Sequence, residues 1–114
     1  MGNLVGIGTD IAHIERFRTL SHPERVASLY LLPGEWAQAQ AAVDLSTFLA
    51  SRFAAKEAVI KACPEPLSPL DFSIEKSGVK PIVSPVRPLP YSFLISISHE
   101  SAYATATACC TERS

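Results

Sequence analysis

Apolar and polar positions alternate along Leu4-Val5-Gly6-Ile7-Gly8-Thr9-Asp10-Ile11. This predicts a strand with Leu4, Gly6, Gly8 and Asp10 on one face and Val5, Ile7, Thr9 and Ile11 on the other. The period then lengthens. Ile11 to Leu20 reads as a helix with Ile14 and Phe17 inward and Glu15, Arg16 and Arg18 outward, broken at His22-Pro23. Pro23 opens a short helix through Leu31, and Pro33 takes the first turn of another around Trp36 to Val43, a position proline tolerates. From Leu45 to Cys63 no Gly or Pro interrupts a run rich in strong helix formers, and Ser46 or Thr47 is placed to cap it. Leu49, Phe53, Ile60 and Cys63 project as a narrow apolar stripe, with Glu57 and Lys61 along its edge beside Ala50, Ala54 and Ala58.

The second half returns to strand periodicity. Leu70 to Glu75 alternates, Lys76-Ser77-Gly78 is a turn, and Val79 to Val83 pairs back. Pro81, Pro85, Pro88 and Pro90 confine the connection to an edge strand or an extended loop. Tyr91, Phe93, Ile95 and Ile97 alternate into a hairpin that turns at His99, and Tyr103 to Cys110 returns as a strand of small residues. The pattern predicts an α+β fold: one domain over residues 1–114, with helices in the first half packed on a mostly antiparallel sheet that the N-terminal strand joins.

Length and charge narrow the function. A chain of 114 residues holds one core, and a formal charge of −1 leaves no footprint for nucleic-acid binding. No apolar run approaches a membrane span and no signal-peptide pattern opens the chain, so a cytoplasmic location is expected. Cys63, Cys109 and Cys110 lack metal-ligand spacing and read as free buried thiols. The candidate chemistry lies in three places. Glu57 and Lys61 read either as an ordinary i,i+4 helix pair, worth about 0.3–0.5 kcal/mol, or as a ligand-facing acid and base. Asp10, beside a hollow left by Gly6 and Gly8, either caps a helix or ligates a cation. His99 at a turn is a surface residue or a ligand contact.

These segments together resemble the holo-(acyl-carrier-protein) synthases, the small phosphopantetheinyl transferases. The residues carrying the resemblance are Gly6-Ile7-Gly8-Thr9-Asp10-Ile11, the helix from Arg52 through Ala54-Ala55-Lys56-Glu57 to Lys61, and Ser96-Ile97-Ser98-His99 followed by Tyr103-Ala104. The resemblance implies a 4'-phosphopantetheinyl transferase-like fold. It also implies Mg²⁺-dependent transfer of the phosphopantetheine arm of coenzyme A to a serine of an apo acyl carrier protein, with release of adenosine 3',5'-bisphosphate. It makes Asp10 and Glu57 the metal ligands, Glu57 and Lys61 the catalytic pair, and Arg52, Lys61 and His99 the coenzyme contacts. Arg16 and Arg18 become a docking surface for the acidic carrier, and a homotrimer is the implied assembly. Two alternatives are another Mg²⁺-dependent phosphoryl-transfer enzyme and a catalytically weak relative serving as an oligomeric binding module.

Two departures from the family pattern bear on these expectations. After Lys61, a Gly-rich loop gives way to Cys63-Pro64-Glu65-Pro66-Leu67-Ser68-Pro69, whose prolines offer no amide N–H. Lys61, Arg52 and His99 are therefore expected to carry more of the coenzyme binding. His13 stands where the family commonly has Glu, removing one acid from the neighbourhood of Asp10.

Overall fold

The computed structural model describes residues 2–113. Its elements run β1 (Leu4–His13), α1 (Ile14–Arg18), α2 (Pro23–Ala27), α3 (Pro33–Gln40), α4 (Leu45–Ala62), β2 (Phe72–Ser77), β3 (Lys80–Pro85), β4 (Tyr91–His99) and β5 (Tyr103–Glu112). β1, β5 and β4 form one sheet with β5 in the middle, and β2–β3 is a separate two-stranded ribbon. Every pairing is antiparallel. This is the α+β arrangement expected from the sequence.

α4 crosses the three-stranded sheet and holds the core together. The sheet meets it with small side chains: Ala12 from β1 and Ala104, Ala106, Ala108 and Cys110 from β5 are all buried. All three cysteines are free, but the expected burial holds only at Cys110, since Cys63 and Cys109 are half-buried. Burial pushes the Cys110 thiol up to about 11. Gly6 and Gly8 bring β1 closest. A Cβ at Gly6 would lie 1.8 Å from the Ala62 carbonyl oxygen, and one at Gly8 would lie 2.1 Å from that of Ala58. The two glycines are therefore contact points, where any side chain would drive the strand off the helix.

Several expectations are corrected. Strand β1 continues to His13, which pairs with Tyr103, so Ile11–His13 are extended and the helix begins only at Ile14. Asp10 lies within the strand and caps nothing. The cap of α4 is Asp44, whose Oδ1 accepts the Thr47 N–H at 3.2 Å, not Ser46 or Thr47. That hydrogen bond holds the Asp44 carboxyl below the usual carboxylate range. α2 ends at Ala27 rather than Leu31, and a 3₁₀ turn at Pro69–Asp71 delays β2 to Phe72. The narrow apolar stripe on α4 is also wrong. Leu49, Ala50, Ser51, Arg52, Ala54, Ala55, Lys56, Ala58, Val59 and Ala62 are all buried, because sheet, ribbon and α3 surround the helix on several sides.

The wide burial of α4 encloses a polar knot that the sequence reading missed. Lys56 is fully buried and donates from Nζ to Glu35 Oε1 at 2.9 Å, to the Pro69 carbonyl at 2.7 Å and to the Phe72 carbonyl. Glu35 Oε1 also accepts the Leu32 N–H, and its Oε2 accepts the Ile74 N–H at 2.8 Å. One ion pair thus ties α3, α4 and the start of the ribbon. Burial lowers the Lys56 pKa, while the Glu35 carboxylate pulls the other way.

Candidate active site at the crossing of the long helix and the first strand

The hollow expected beside Gly6 and Gly8 is not open: the backbone of α4 fills it, and a charged contact lies next to it. Asp10 reaches the site because β1 alternates and α4 lies against its Gly6–Gly8 face. Lys61 leaves α4 at the same crossing, and its Nζ donates to Asp10 Oδ1 at 3.1 Å and to the Thr9 carbonyl at 3.0 Å. The ordinary i,i+4 pair between Glu57 and Lys61 does not form, since Lys61 turns to the strand instead. Glu57, one turn earlier, makes no hydrogen bond or ion pair among the described residues. It lines a small cleft of about 270 Å³ with Arg16, Phe17, Tyr30 and Phe53. Burial, then the nearby Glu35 charge, pushes the Tyr30 hydroxyl well above the usual phenol range, and it donates to the Leu49 carbonyl.

The docking candidates differ. Arg16 is exposed and lines the Glu57 cleft, without an ion pair among the described residues. Arg18 leans the other way, within 3.4 Å of Glu15 and 3.8 Å of Asp44. His13 stacks on Tyr103 with ring centroids 4.9 Å apart.

Arg52 and His99 do not join Lys61. Nine residues along an α-helix rise about 13 Å and turn through roughly half a circle, which sends Arg52 to the far side of α4. There it lines a groove of about 420 Å³ with His99, Ser51 and Lys76. Arg52 is only 4% exposed, sits over the Phe48 ring at 4.7 Å, and its pKa is lowered by burial. Its Nε and the Ser51 Oγ are buried polar atoms without a hydrogen-bond partner among the described residues. Buried donors and acceptors of this kind are rare in folded proteins and point to a missing ligand or water. Ser51 and Lys76 carried no signal in the sequence: one is a serine on a helix, the other a cation beside a turn.

The stretch after Lys61 is pinned at several points by side-chain hydrogen bonds. α4 ends with Cys63 in an extended conformation, Tyr91 donates to Glu65 Oε2 at 2.6 Å, and Ser68 and Asp71 cap each other across the 3₁₀ turn. The Glu65 carboxylate raises the Tyr91 hydroxyl to about 12.

Among the described residues no cluster of three or more His, Cys, Asp or Glu side chains gathers. The donor chemistry fits a hard ion that keeps most of its waters: the Asp10 carboxylate has an oxygen outside the Lys61 contact, and the Glu57 carboxylate, one turn along α4 from Lys61, is unpaired among the described residues. No helix among the described residues is long and apolar enough to cross a membrane.

Comparison with known proteins identifies the family. The family model for the 4'-phosphopantetheinyl transferase superfamily matches residues 6–108. A holo-[acyl-carrier-protein] synthase of Laribacter hongkongensis is 49% identical over 61 residues, 52% of this chain and 49% of that protein. One from Anaeromyxobacter dehalogenans is 38% identical over 85 residues, covering 68% of this chain and 66% of that protein. The matched segment thus spans about half the length of several of these curated relatives. Among solved structures, a Bacillus anthracis holo-(acyl-carrier-protein) synthase in complex with CoA (3',5'-ADP) superposes with a TM-score of 0.82 at 30% identity, over 97% of this chain and 98% of that one. The Plasmodium yoelii holo-ACP-synthase gives 0.85 at 26% identity, over 100% and 99%. The chain belongs to the 4'-phosphopantetheinyl transferase superfamily, within its holo-(acyl-carrier-protein) synthase family.

Proposed function

We propose that this chain transfers the 4'-phosphopantetheine arm of coenzyme A to a serine of an apo acyl carrier protein and releases adenosine 3',5'-bisphosphate. The observation that carries the reading is the Asp10–Lys61 contact beside Gly8, with the unpaired Glu57 carboxylate one turn away. In the reaction the serine oxygen forms a bond to the phosphorus next to the pantetheine. The bond from that phosphorus to the bridging oxygen breaks, and the electron pair leaves with the bisphosphate. Such a transfer needs charge neutralisation and positioning more than covalent work by the protein.

Asp10 and Glu57 are the residues that would hold Mg²⁺. Bound there, Mg²⁺ supplies positive charge for the pyrophosphate oxygens. Lys61 keeps the Asp10 carboxylate oriented and adds a second cation for the same phosphates. Glu57 is also the unpaired carboxylate in the cleft that Arg16 lines, which makes it the acceptor for the serine proton, directly or through water. Arg16 at the mouth of that cleft fits an acidic carrier, and Arg18, engaged with Glu15 and Asp44, contributes less.

The coenzyme has to bridge copies of the chain. Arg52 and His99 lie on the opposite side of α4 from Lys61, so one chain does not bring the whole set to a single ligand. The open face of the sheet favours self-association: Ile7 and Leu94 flank Cys109 in register, and Ile7, Ile11 and Leu94 are each more than 60% exposed. A homotrimer with sites between neighbours accounts for both facts. The reading is tested by incubating the protein with coenzyme A, Mg²⁺ and an apo carrier protein and weighing the carrier by mass spectrometry. Gain of one phosphopantetheine in wild type, lost in Asp10→Ala and Glu57→Ala, is expected. An unchanged carrier mass in wild type overturns it.

A further inference from the structure

The cysteines take no part in the chemistry above, and two of them come to one corner of the fold, at the end of α4 that carries Lys61. Cys63 is the first residue beyond the helix, half-buried, with its N–H donating to the Val59 carbonyl at 3.1 Å. Cys110 is fully buried on the face of β5 that packs on α4. Strand register makes them neighbours. Gly6 pairs with Cys110, and the same Gly6 lies against the carbonyl of Ala62, the residue before Cys63. Burial first and Cys63 second raise the Cys110 thiol, and the Tyr91 hydroxyl, raised chiefly by Glu65, also feels both sulfurs. The Tyr91–Glu65 hydrogen bond holds the chain after Cys63 over this corner. Cys109 is outside the pair: as the adjacent residue of the strand it faces the other side of the sheet, in register with Ile7 and Leu94.

We propose that Cys63 and Cys110 form a reversible disulfide on exposure to hydrogen peroxide, a redox switch that slows transfer by shifting the end of α4. The effect on turnover rests on the transferase reading above; the bond itself does not. Cys63 is the more accessible sulfur and meets the oxidant. Its thiolate attacks one peroxide oxygen, the O–O bond breaks, and the departing hydroxide takes up the thiol's proton and leaves as water, with Cys63 now a sulfenic acid. The Cys110 sulfur then displaces hydroxide from Cys63. The S–S bond forms, and the Cys110 proton leaves with that hydroxide as a second water. Two thiols have lost two electrons and one peroxide has become two waters. Closure brings two sulfurs from non-bonded separation to covalent distance. β5 is the middle strand, held along both edges, so the movement falls on Cys63 at the helix end. Lys61 is two residues away, and its contacts with Asp10 and the Thr9 carbonyl move with it. A misplacement of about 1 Å at a reacting site can cost about a hundredfold in rate. A dithiol reverses the bond by exchange.

The test treats the reduced, intact protein with hydrogen peroxide, then unfolds it, alkylates the remaining thiols with iodoacetamide and maps the peptides by mass spectrometry. Wild type is expected to yield a peptide joining Cys63 to Cys110 within one chain, with Cys109 alkylated, and dithiothreitol should return all three thiols. Carrier modification should fall severalfold with the bond and recover with dithiothreitol. Cys63→Ser changes one half-buried atom, so it should fold normally, give no cross-link and keep its rate after peroxide. Cys110→Ala should behave in the same way. No Cys63–Cys110 peptide in wild type, or a bond through Cys109 or between chains, overturns the proposal. A bond that forms without slowing transfer overturns the switch. If reduced wild type does not modify the carrier, the transferase reading falls and the effect on turnover with it, whereas the peptide map still decides the bond.

Discussion

Replacing Lys56 by Met should be among the most destabilising single changes available in this protein that leave the backbone alone. The side chains are similar in volume, so packing is nearly kept while the ammonium is lost. Three hydrogen bonds disappear with it, to Glu35 and to the Pro69 and Phe72 carbonyls, as does the contact 4.6 Å above the Phe72 ring. Glu35, 2% exposed, is left charged with only the Leu32 and Ile74 amides for company. Removing one partner of a buried pair costs about 3–5 kcal/mol. Two orphaned carbonyls add to that, at about 1–3 kcal/mol for a fully unsatisfied group. Relief of the lysine's own burial works against both, as its lowered pKa indicates. A net loss of about 3–4 kcal/mol is expected, which moves a urea midpoint by about 1–3 M at the slopes typical of small proteins. Urea unfolding must be run at one fixed protomer concentration, since self-association shifts apparent stability. Glu35→Gln and the double variant complete a cycle whose coupling energy should exceed about 1 kcal/mol. A Lys56→Met protein within about 1 kcal/mol of wild type would show that the knot is not what joins α3, α4 and the ribbon.

Gly8→Ala places a methyl group against the Ala58 carbonyl and the base of Lys61, so it should cost at least about 1–3 kcal/mol and lower transfer, read by thermal melting and carrier mass. Normal values for both would disprove the close approach. Arg16→Glu should raise KM for the carrier about tenfold or more while sparing coenzyme A, and the wild-type rate at low carrier concentration should fall with salt. Salt-independent kinetics would argue against electrostatic docking. Tyr91, raised from 10.0 to about 12 by Glu65, holds its proton in the folded state after the unfolded chain has lost it. Its contribution to stability is complete below pH 10 and disappears as pH rises towards 12. Ultraviolet titration of phenolate should show a late tyrosine that moves to lower pH in Glu65→Gln, and an unmoved curve would place the cause elsewhere.

The elements that were legible in the sequence are those whose pattern has one physical reading. β1, β4 and β5 alternate because one face packs on α4, and α4 itself is an unbroken run of helix formers. The boundary between β1 and α1 was not legible. Ile11 and Ile14 are three apart and fit a helical face, yet Ile11–His13 pair with β5, and long-range pairing overrides local periodicity. The cap of α4 was misplaced by the same local logic, because Asp44, Ser46 and Thr47 are all good caps by type. Lys56 was invisible for a different reason. A lysine among alanines reads as solvated until α3 and the ribbon, distant in sequence, are folded over it with a carboxylate in place.

The candidate site was legible in its members and not in its geometry. Asp10 and Lys61 meet because two glycines let the strand touch the helix, a pairing that the family resemblance suggested and spacing alone did not. Arg52 shares a sequence motif with Lys61, and the family resemblance made both coenzyme contacts. Helical geometry separates them. The middle and the C-terminal end of one long helix therefore present these two cations on opposite sides. The same separation explains why Ser51 and Lys76 escaped notice. They belong to a pocket whose existence depends on the β2–β3 ribbon folding back beside α4, and nothing in residues 45–62 records where that ribbon comes to rest.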